Sequence, residues 1–441
     1  MAVRYDKLVP ALKRLLDEDR IDGIGRSVAF IRRLRQLSAS AFVWAVVLSR
    51  FGSGRPGFEQ ARQWYARLTA VLLWPRPFQV RFKSPATVRL FQQTFDEAVA
   101  PWRTRPPARH PLARIFPDIV AWDSTLVQVA DELRPFFKGT RAAAASLKVL
   151  LGVSIWGLLP VVARVVSGNQ HDMISGPEPS SFRSGSLLLL DKGFVAYARL
   201  RELDAASLFF VCPMRLNGIA RIIGVHQAPV RVRRALYNNA SGVALRSLLP
   251  ADKRIRTTWD LRVLVRPRAT GAAGAPIELR LVIVPGPGGK QRPYLTNLTK
   301  VWTPKAIAEL YRLRWQVELV YKELKQDLNL ESIPTKDPYA AQVFVWASLL
   351  ALALSRCVSA WLAPLASLVG LSARVRPAVL TRALRGNIRL LARVLTARAS
   401  HAVIFLRQLA EELLTEARQL QPTRADSLKR LAFLLPRAEA A

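Results

Sequence analysis

The chain has 441 residues, 51% of them hydrophobic and 22% charged, which excludes a disordered polymer and allows two or three domains with substantial cores. Basic residues number 66 against 31 acidic ones, and the net charge of +35 points to a polyanionic partner: nucleic acid, with an anionic membrane surface as the alternative. Two cysteines, Cys212 and Cys357, exclude a disulfide scaffold, and four histidines far apart in the chain carry no zinc-ligand spacing.

Arginine carries most of the excess, 52 residues against 14 lysines, and its planar fork suits bidentate phosphate contacts. A GC-rich genome produces the same ratio, so the net charge is the stronger fact. The opening MAVRYDKLVPALKRLLDEDR holds no apolar run of the signal-peptide kind, and a reducing cytoplasm is the expected compartment.

Residues 1–100 read as helices. Apolar positions recur at three and four over 24–37, Ser38 is placed to cap SASAFVWAVVLSR, and Ser84-Pro85 opens a helix over ATVRLFQQTFDEAV. Arg26, Arg32, Arg33, Arg35 and Arg50 give the region basic faces, so it reads as a DNA-binding region or as ordinary solvated helices. Residues 101–117, rich in Pro and Arg, read as a linker.

The period then changes. DIVAWDSTLVQVAD (118–131) alternates as a strand, 146–166 reads as two strands around a turn near Gly157, and SLLLLD (186–191) is a short apolar strand. A helix over 194–203 and a strand over 207–215 follow, an order that predicts an α/β core with a mixed sheet. From 216 to 300 the segments APVRVRRALY, TTWDLRVLVRP, IELRLVIVP and RPYLTNLT alternate, and predict an all-β insertion splitting that core. Residues 301–337 return to the core, and 338–441 read as helices. Within these, 338–355 is free of charge and near the lower length for a membrane span. Gln342 and Ser348 dilute it and Arg356 ends it, so a buried core helix is expected.

The stretch YRLRWQVELVYKELK (311–325) predicts a helix, having strong helix formers and no Pro or Gly. Around its axis Tyr311, Arg314, Glu318 and Lys325 fall at about 0, −60, −20 and −40°, one polar stripe, while Glu323 falls at about +120° and points away. An ordinary charged face is the competing reading. Asp123, inside an apolar strand, and Asp191, ending another before a glycine, change the balance. Ionised acids there are costly unless paired or bound to a metal, although a turn or cap role also suits Asp191. Three carboxylates without His or Cys form an oxygen-donor set for Mg²⁺ or Mn²⁺.

These blocks resemble the DDE transposases of bacterial insertion sequences, and closely the insertion sequence 4 family. The first acid stands in IVAWDSTLVQVAD, with SLKVLL…VVSGNQHD after it; the second stands in LLLLDKGF. The third stands in TNLTKVWTPKAIAELYRLRWQVELVYKELKQDLNLE, where Tyr311, Arg314, Glu318 and Lys325 match the family's Tyr-x2-Arg-x3-Glu-x6-Lys signature. Separations of 68 and 127 residues between successive acids fit as well, since the family carries a β-rich insertion before its glutamate. The resemblance covers roughly 118–335.

It implies a ribonuclease-H-like core holding two divalent ions, Mg²⁺ or Mn²⁺, on Asp123, Asp191 and Glu318. It also implies a DNA-bound homodimer, nucleoid-associated in the cytoplasm, that pairs ends bearing terminal inverted repeats, nicks them, and joins the 3′-hydroxyls to target DNA. Members with this signature cut through a hairpin, and Tyr311, Arg314 and Lys325 would then contact phosphates near the cut. A hairpin needs a flipped base held by an aromatic; Trp259 and Trp302 are candidates, with core packing as their other role. The competing functions are a metal-dependent nuclease without strand transfer, a catalytically inactive DNA-binding relative, and a membrane-surface protein.

Overall fold

The computed structural model of the chain describes residues 17–31, 37–52, 54, 56–103, 110–214, 220–239, 242–250, 254–265, 275–368, 377–397 and 399–419. Arg32, Arg33 and Arg35 of the expected basic face, and 104–109 of the expected linker, lie outside the described residues.

The first layer is helical: α1 (Glu18–Ser27), α2 (Ala39–Ser49), α3 (Phe58–Thr69), α4 (Pro75–Val80) and α5 (Pro85–Arg103). Ser38 Oγ accepts the Ala41 N–H at 3.2 Å, the expected cap, and Ser84 Oγ accepts the Ala86 N–H at 3.2 Å where Pro85 opens α5. Helix α2 is apolar on every side and buried throughout. Phe42 meets Phe30, Phe78 and Phe82 at ring separations of 5.2, 5.3 and 5.0 Å.

Arg50, expected on a basic face, is instead fully buried at the end of α2. Its guanidinium donates to Ser348 Oγ at 3.0 Å, to the Pro56 carbonyl at 3.3 Å, to the Ser332 carbonyl at 3.0 Å and to the Asn329 carbonyl. With four oxygens around it and no carboxylate, burial pulls its pKa down to about 9. Spacing alone treats every arginine as surface charge; this one ties the first layer to residues some 280 to 300 positions later.

The strands are β1 (Ile119–Gln128), β2 (Lys138–Thr140), β3 (Ala143–Ser154), β4 (Leu159–Ser167) and β5 (Leu187–Leu190), then, after helix α6 (Tyr197–Ala205), β6 (Phe209–Pro213) and β7 (Ala220–Gln227). Helix α7 (Val230–Tyr237), strand β8 (Val243–Ala244) and one turn of helix α8 (Leu245–Leu248) precede β9 (Trp259–Val265), β10 (Ile277–Pro285) and β11 (Gln291–Thr296). All of them join one mixed sheet in the order β2-β3-β1-β5-β6-β11-β10-β9-β7-β8, with β4 on β3. β1, β5 and β6 run parallel.

The β-rich segment of 216–300 interrupts the core between β6 and the Glu318 helix, as expected, and stays on the same sheet, because β11 pairs antiparallel with β6. One expectation changes here. APVRVRRALY is a helix and not an alternating strand. Its Val232 and Leu236 reach the core four residues apart, and Pro229 precedes the first turn, so a helical period fits the same letters.

Helices α9 (Pro304–Arg312), α10 (Trp315–Gln326) and α11 (Pro338–Leu368) then cover the sheet, followed by α12 (Pro377–Gly386), α13 (Ile388–Thr396) and α14 (Ala399–Gln419). Residues Pro338–Leu362 are long and apolar enough to cross a membrane by length and composition, yet 89% of the most apolar window is buried against the protein, as expected of a core helix. Phe344 stacks on Phe82 at 5.4 Å and joins this helix to the first layer.

Glu323 points away from the polar stripe, as its angle requires, and meets Arg356 of α11 in a bidentate pair of 2.8 and 2.5 Å, with Thr381 Oγ1 donating at 2.6 Å. Both side chains are at most 3% exposed. Breaking such a pair strands a buried charge, whereas replacing both partners with apolar groups does not. Arg356→Met is therefore expected to destabilise the protein by about 3–5 kcal/mol in urea titrations, and Arg356→Met with Glu323→Leu to recover most of that loss.

Candidate active site

The site begins with the register of two parallel strands. β1 and β5 pair from Ile119 opposite Leu187 to Trp122 opposite Leu190. Asp123 and Asp191 are the next residues on each strand, side by side where the apolar ladder stops. Burial along β1 is complete through Trp122 and partial from Asp123 to Leu126, so the strand emerges from its cover at the acid. Asp191 lies just past the carboxyl end of β5, where open α/β sheets place their ligands, and Asp123 lies beside it midway along β1. Asp191 also fills the turn role open to it: its side chain accepts the Gly193 N–H at 3.4 Å and caps a short turn over Lys192–Phe194.

The third acid arrives on α10, which crosses β1. Tyr321, one turn past Glu318, donates its hydroxyl to the Asp123 carbonyl at 2.7 Å and lies 3.1 Å from the Val149 carbonyl, pinning the helix to β1 and β3. The single helix expected over 311–325 is broken. Backbone bonds from the N–H groups of Leu313, Arg314, Gln316 and Val317 all run three residues back, a tightened turn between α9 and α10. Arg314 sits in that turn and swings toward the strands, so Tyr311 belongs to α9 while Glu318 belongs to α10.

Arg314 then meets all three acids. Its guanidinium lies 2.9 Å from Asp123, 2.6 Å from Glu318 and 4.0 Å from Asp191, with its side chain only 15% exposed. Its Nε is buried and has no hydrogen-bond partner among the described residues. Burial raises the Asp123 pKa to about 6, against opposing pulls from the Ser124 N–H and the Arg314 charge. Among the described residues, no three His, Cys, Asp or Glu side chains close on a common point; the acids are spaced around the guanidinium. An all-oxygen carboxylate set that already surrounds one cationic group has the donor chemistry of an Mg²⁺ or Mn²⁺ site, and these residues fit it.

Beside the acids opens a cleft of about 370 Å³ lined by Tyr294, Glu309, Tyr311, Arg312 and Trp315. Tyr294 and Tyr311 pair at 5.0 Å, and burial holds the Tyr311 hydroxyl well above its ordinary pKa, so it stays protonated. Trp315 is 58% exposed here, next to Arg314. It is the aromatic that sequence reasoning passed over, and its place directly after Arg314 in the polar stripe was the available signal. Trp259 and Trp302 are at most 6% exposed, the latter stacked on Phe116 at 5.1 Å, so both pack in the core. Lys325, two turns past Glu318, pairs with Glu331 at 2.7 Å, and among the described residues no ion pair joins it to the three acids.

A carboxyl whose native pKa lies above its unfolded value stabilises the fold only while protonated, and that contribution is lost as pH rises through the native value. For Asp123 the window runs from about 4 up to about 6. In chelator, Asp123→Asn is thus expected to match wild-type stability near pH 4 and to exceed it by up to about 3 kcal/mol at pH 8. Parallel urea titrations at the two pH values check the sign.

Residues 114–354 match the family model of the transposase DDE domain, a span that contains Asp123, Asp191 and Glu318. A Sinorhizobium fredii protein provisionally named a transposase is 27% identical over 197 residues, which make up 45% of this chain and 49% of that one. The transposase of insertion sequence element IS421 of Escherichia coli is 42% identical over 58 residues, 13% of this chain and 16% of its own. That of element IS231F of Bacillus thuringiensis subsp. israelensis is 21% identical over 386 residues and 78% of each chain. The chain thus spans about half the length of the first of these relatives and far less of the second. With more than half of its residues inside the matched domain, the chain belongs to the DDE-domain transposases.

Proposed function

We propose that the protein cuts DNA at the ends of a transposable element and joins the freed 3′-hydroxyls to target DNA, using Asp123, Asp191 and Glu318 as the carriers of two divalent ions, Mg²⁺ or Mn²⁺. The observation that carries this reading is the convergence of the three acids on one guanidinium, beside the middle of β1 and the carboxyl end of β5. When bound there, such ions polarise the scissile phosphate and activate the attacking water or hydroxyl.

The remaining groups of the site suit a phosphodiester. The Arg314 fork matches two phosphate oxygens and neutralises the charge that grows on them as the attacking oxygen bonds to phosphorus. The Tyr311 hydroxyl, kept protonated, donates to a phosphate oxygen at the mouth of the cleft. Lys325, 32% exposed, meets the strand further from the cut. Trp315 offers an exposed indole at the right place to stack on a base drawn out of the duplex, which supports a hairpin route. The net charge of +35 supports a DNA substrate longer than the site itself, and with it a homodimer gripping two ends that carry terminal inverted repeats.

The test is cleavage of a linear DNA carrying the element's own ends, with Mn²⁺ or Mg²⁺. Asp191→Asn and Glu318→Gln are expected to lose at least about a hundredfold in cutting rate while gel-shift affinity changes less than about twofold. Full cutting by either variant sinks the assignment of that acid, and binding without cutting by wild type favours the inactive DNA-binding relative. In the same assay Trp315→Ala is expected to spare the first nick and slow hairpin formation roughly tenfold, the cost of one lost base stack.

A further inference from the structure

The blocks SLKVLL and GNQHD recur beside the first acid in the resemblance, yet the chemistry above uses neither. In the fold they meet. Lys148 of β3 is only 8% exposed, and its ammonium donates to Asp172 Oδ1 at 2.7 Å and to the Gln170 carbonyl at 2.5 Å. A lysine taken this far from water needs that carboxylate.

Asp172 in turn touches the residues that follow two of the acids. Ser124 Oγ lies 3.5 Å from Asp172 Oδ1, and the Ser124 N–H donates to Asp123 Oδ1 at 2.8 Å. On the other side, Asp172 Oδ2 sits 2.9 Å from where a Cβ on Gly193 would lie, and the Gly193 N–H holds Asp191 Oδ2 at 3.4 Å. Alternation puts Ser124 and Lys148 on the face of the sheet opposite Asp123. The core residues confirm the split, with Trp122 and Leu150 on one side and Ala121, Val149 and Leu151 on the other. The pair is therefore a prop beneath the sheet, set under the middle of β1 beside the carboxyl end of β5.

We propose that the Lys148–Asp172 pair is a positioning unit that sets the separation of Asp123 and Asp191 by bearing on Ser124 and on Gly193. Asp172 acts through those two residues and is not itself a ligand. The glycine in Asp191-Lys192-Gly193-Phe194 is explained by the same contact, since any side chain there presses on the Asp172 carboxylate. Groups that orient metal-binding residues from outside typically carry ten- to hundredfold of the metal affinity.

The inference rests on the reading of Asp123 and Asp191 as metal carriers, so the measurement is Mn²⁺ binding by calorimetry, with melting temperature as the control. Asp172→Asn is expected to weaken Mn²⁺ binding about ten- to hundredfold. Lys148→Met with Asp172→Leu removes both partners, the buried lysine and the partly exposed Asp172, and is expected to melt like wild type while binding Mn²⁺ as weakly as Asp172→Asn. Gly193→Ala is expected to weaken binding too, and to add nothing in an Asp172→Ser background where the clash is gone. Wild-type Mn²⁺ affinity in the apolar double variant overturns the proposal, as do additive losses from Gly193→Ala and Asp172→Ser. Absence of Mn²⁺ binding by the wild-type protein overturns the metal-site reading instead, and the positioning role with it.

Discussion

Two like charges set side by side on neighbouring strands are the constraint on which the rest of this structure depends. Strands in a sheet lie about 4.8 Å apart, and the β1–β5 register gives Asp123 and Asp191 no way to separate. The fold answers with cations arranged in depth. Arg314 lies among the acids on the helix side, and Lys148 holds Asp172 on the other. The elevated Asp123 pKa shows that the compensation is incomplete: burial still works against the ionised form.

Accuracy at the acids is secured by polar contacts far from solvent. Tyr321 clamps α10 to the backbone of β1 and β3. Glu323, on the opposite side of the same helix, is locked to Arg356 and through Thr381 to α12. Glu318 is thus carried on a helix anchored along both flanks, while Asp123 and Asp191 ride on the sheet. Arg50 ties the first helical layer to the same region by three of its four hydrogen bonds, to Ser348, Asn329 and Ser332, each made to an uncharged oxygen.

Much of this was legible in the amino-acid sequence. Alternation located β1 and the hairpin of β3 and β4, the apolar run located β5, and both expected serine caps are present. Helical angles separated Glu318 from Glu323 correctly, because side-chain direction on a helix is local geometry. What escaped was non-local. The break before α10 comes from the pull of Arg314 toward residues about 190 positions earlier, and strong helix formers give no hint of it. The burial of Arg50 and the joining of β11 to β6 likewise depend on partners about 300 and 80 residues away. Trp315 was visible as a residue but not as an exposed one, since exposure is a property of the whole surface.

The pairing of β11 with β6 also sets an order of assembly. During synthesis β6 emerges with one edge open, and it stays open until residues 291–296 have been made. By then two of the three acids are present and the third lies only some twenty residues ahead. A chain halted anywhere earlier carries an unfinished sheet edge and lacks Glu318, and that open edge exposes it to aggregation or proteolysis. Closing the sheet and bringing Glu318 to Asp123 and Asp191 are therefore nearly one event in the making of the chain.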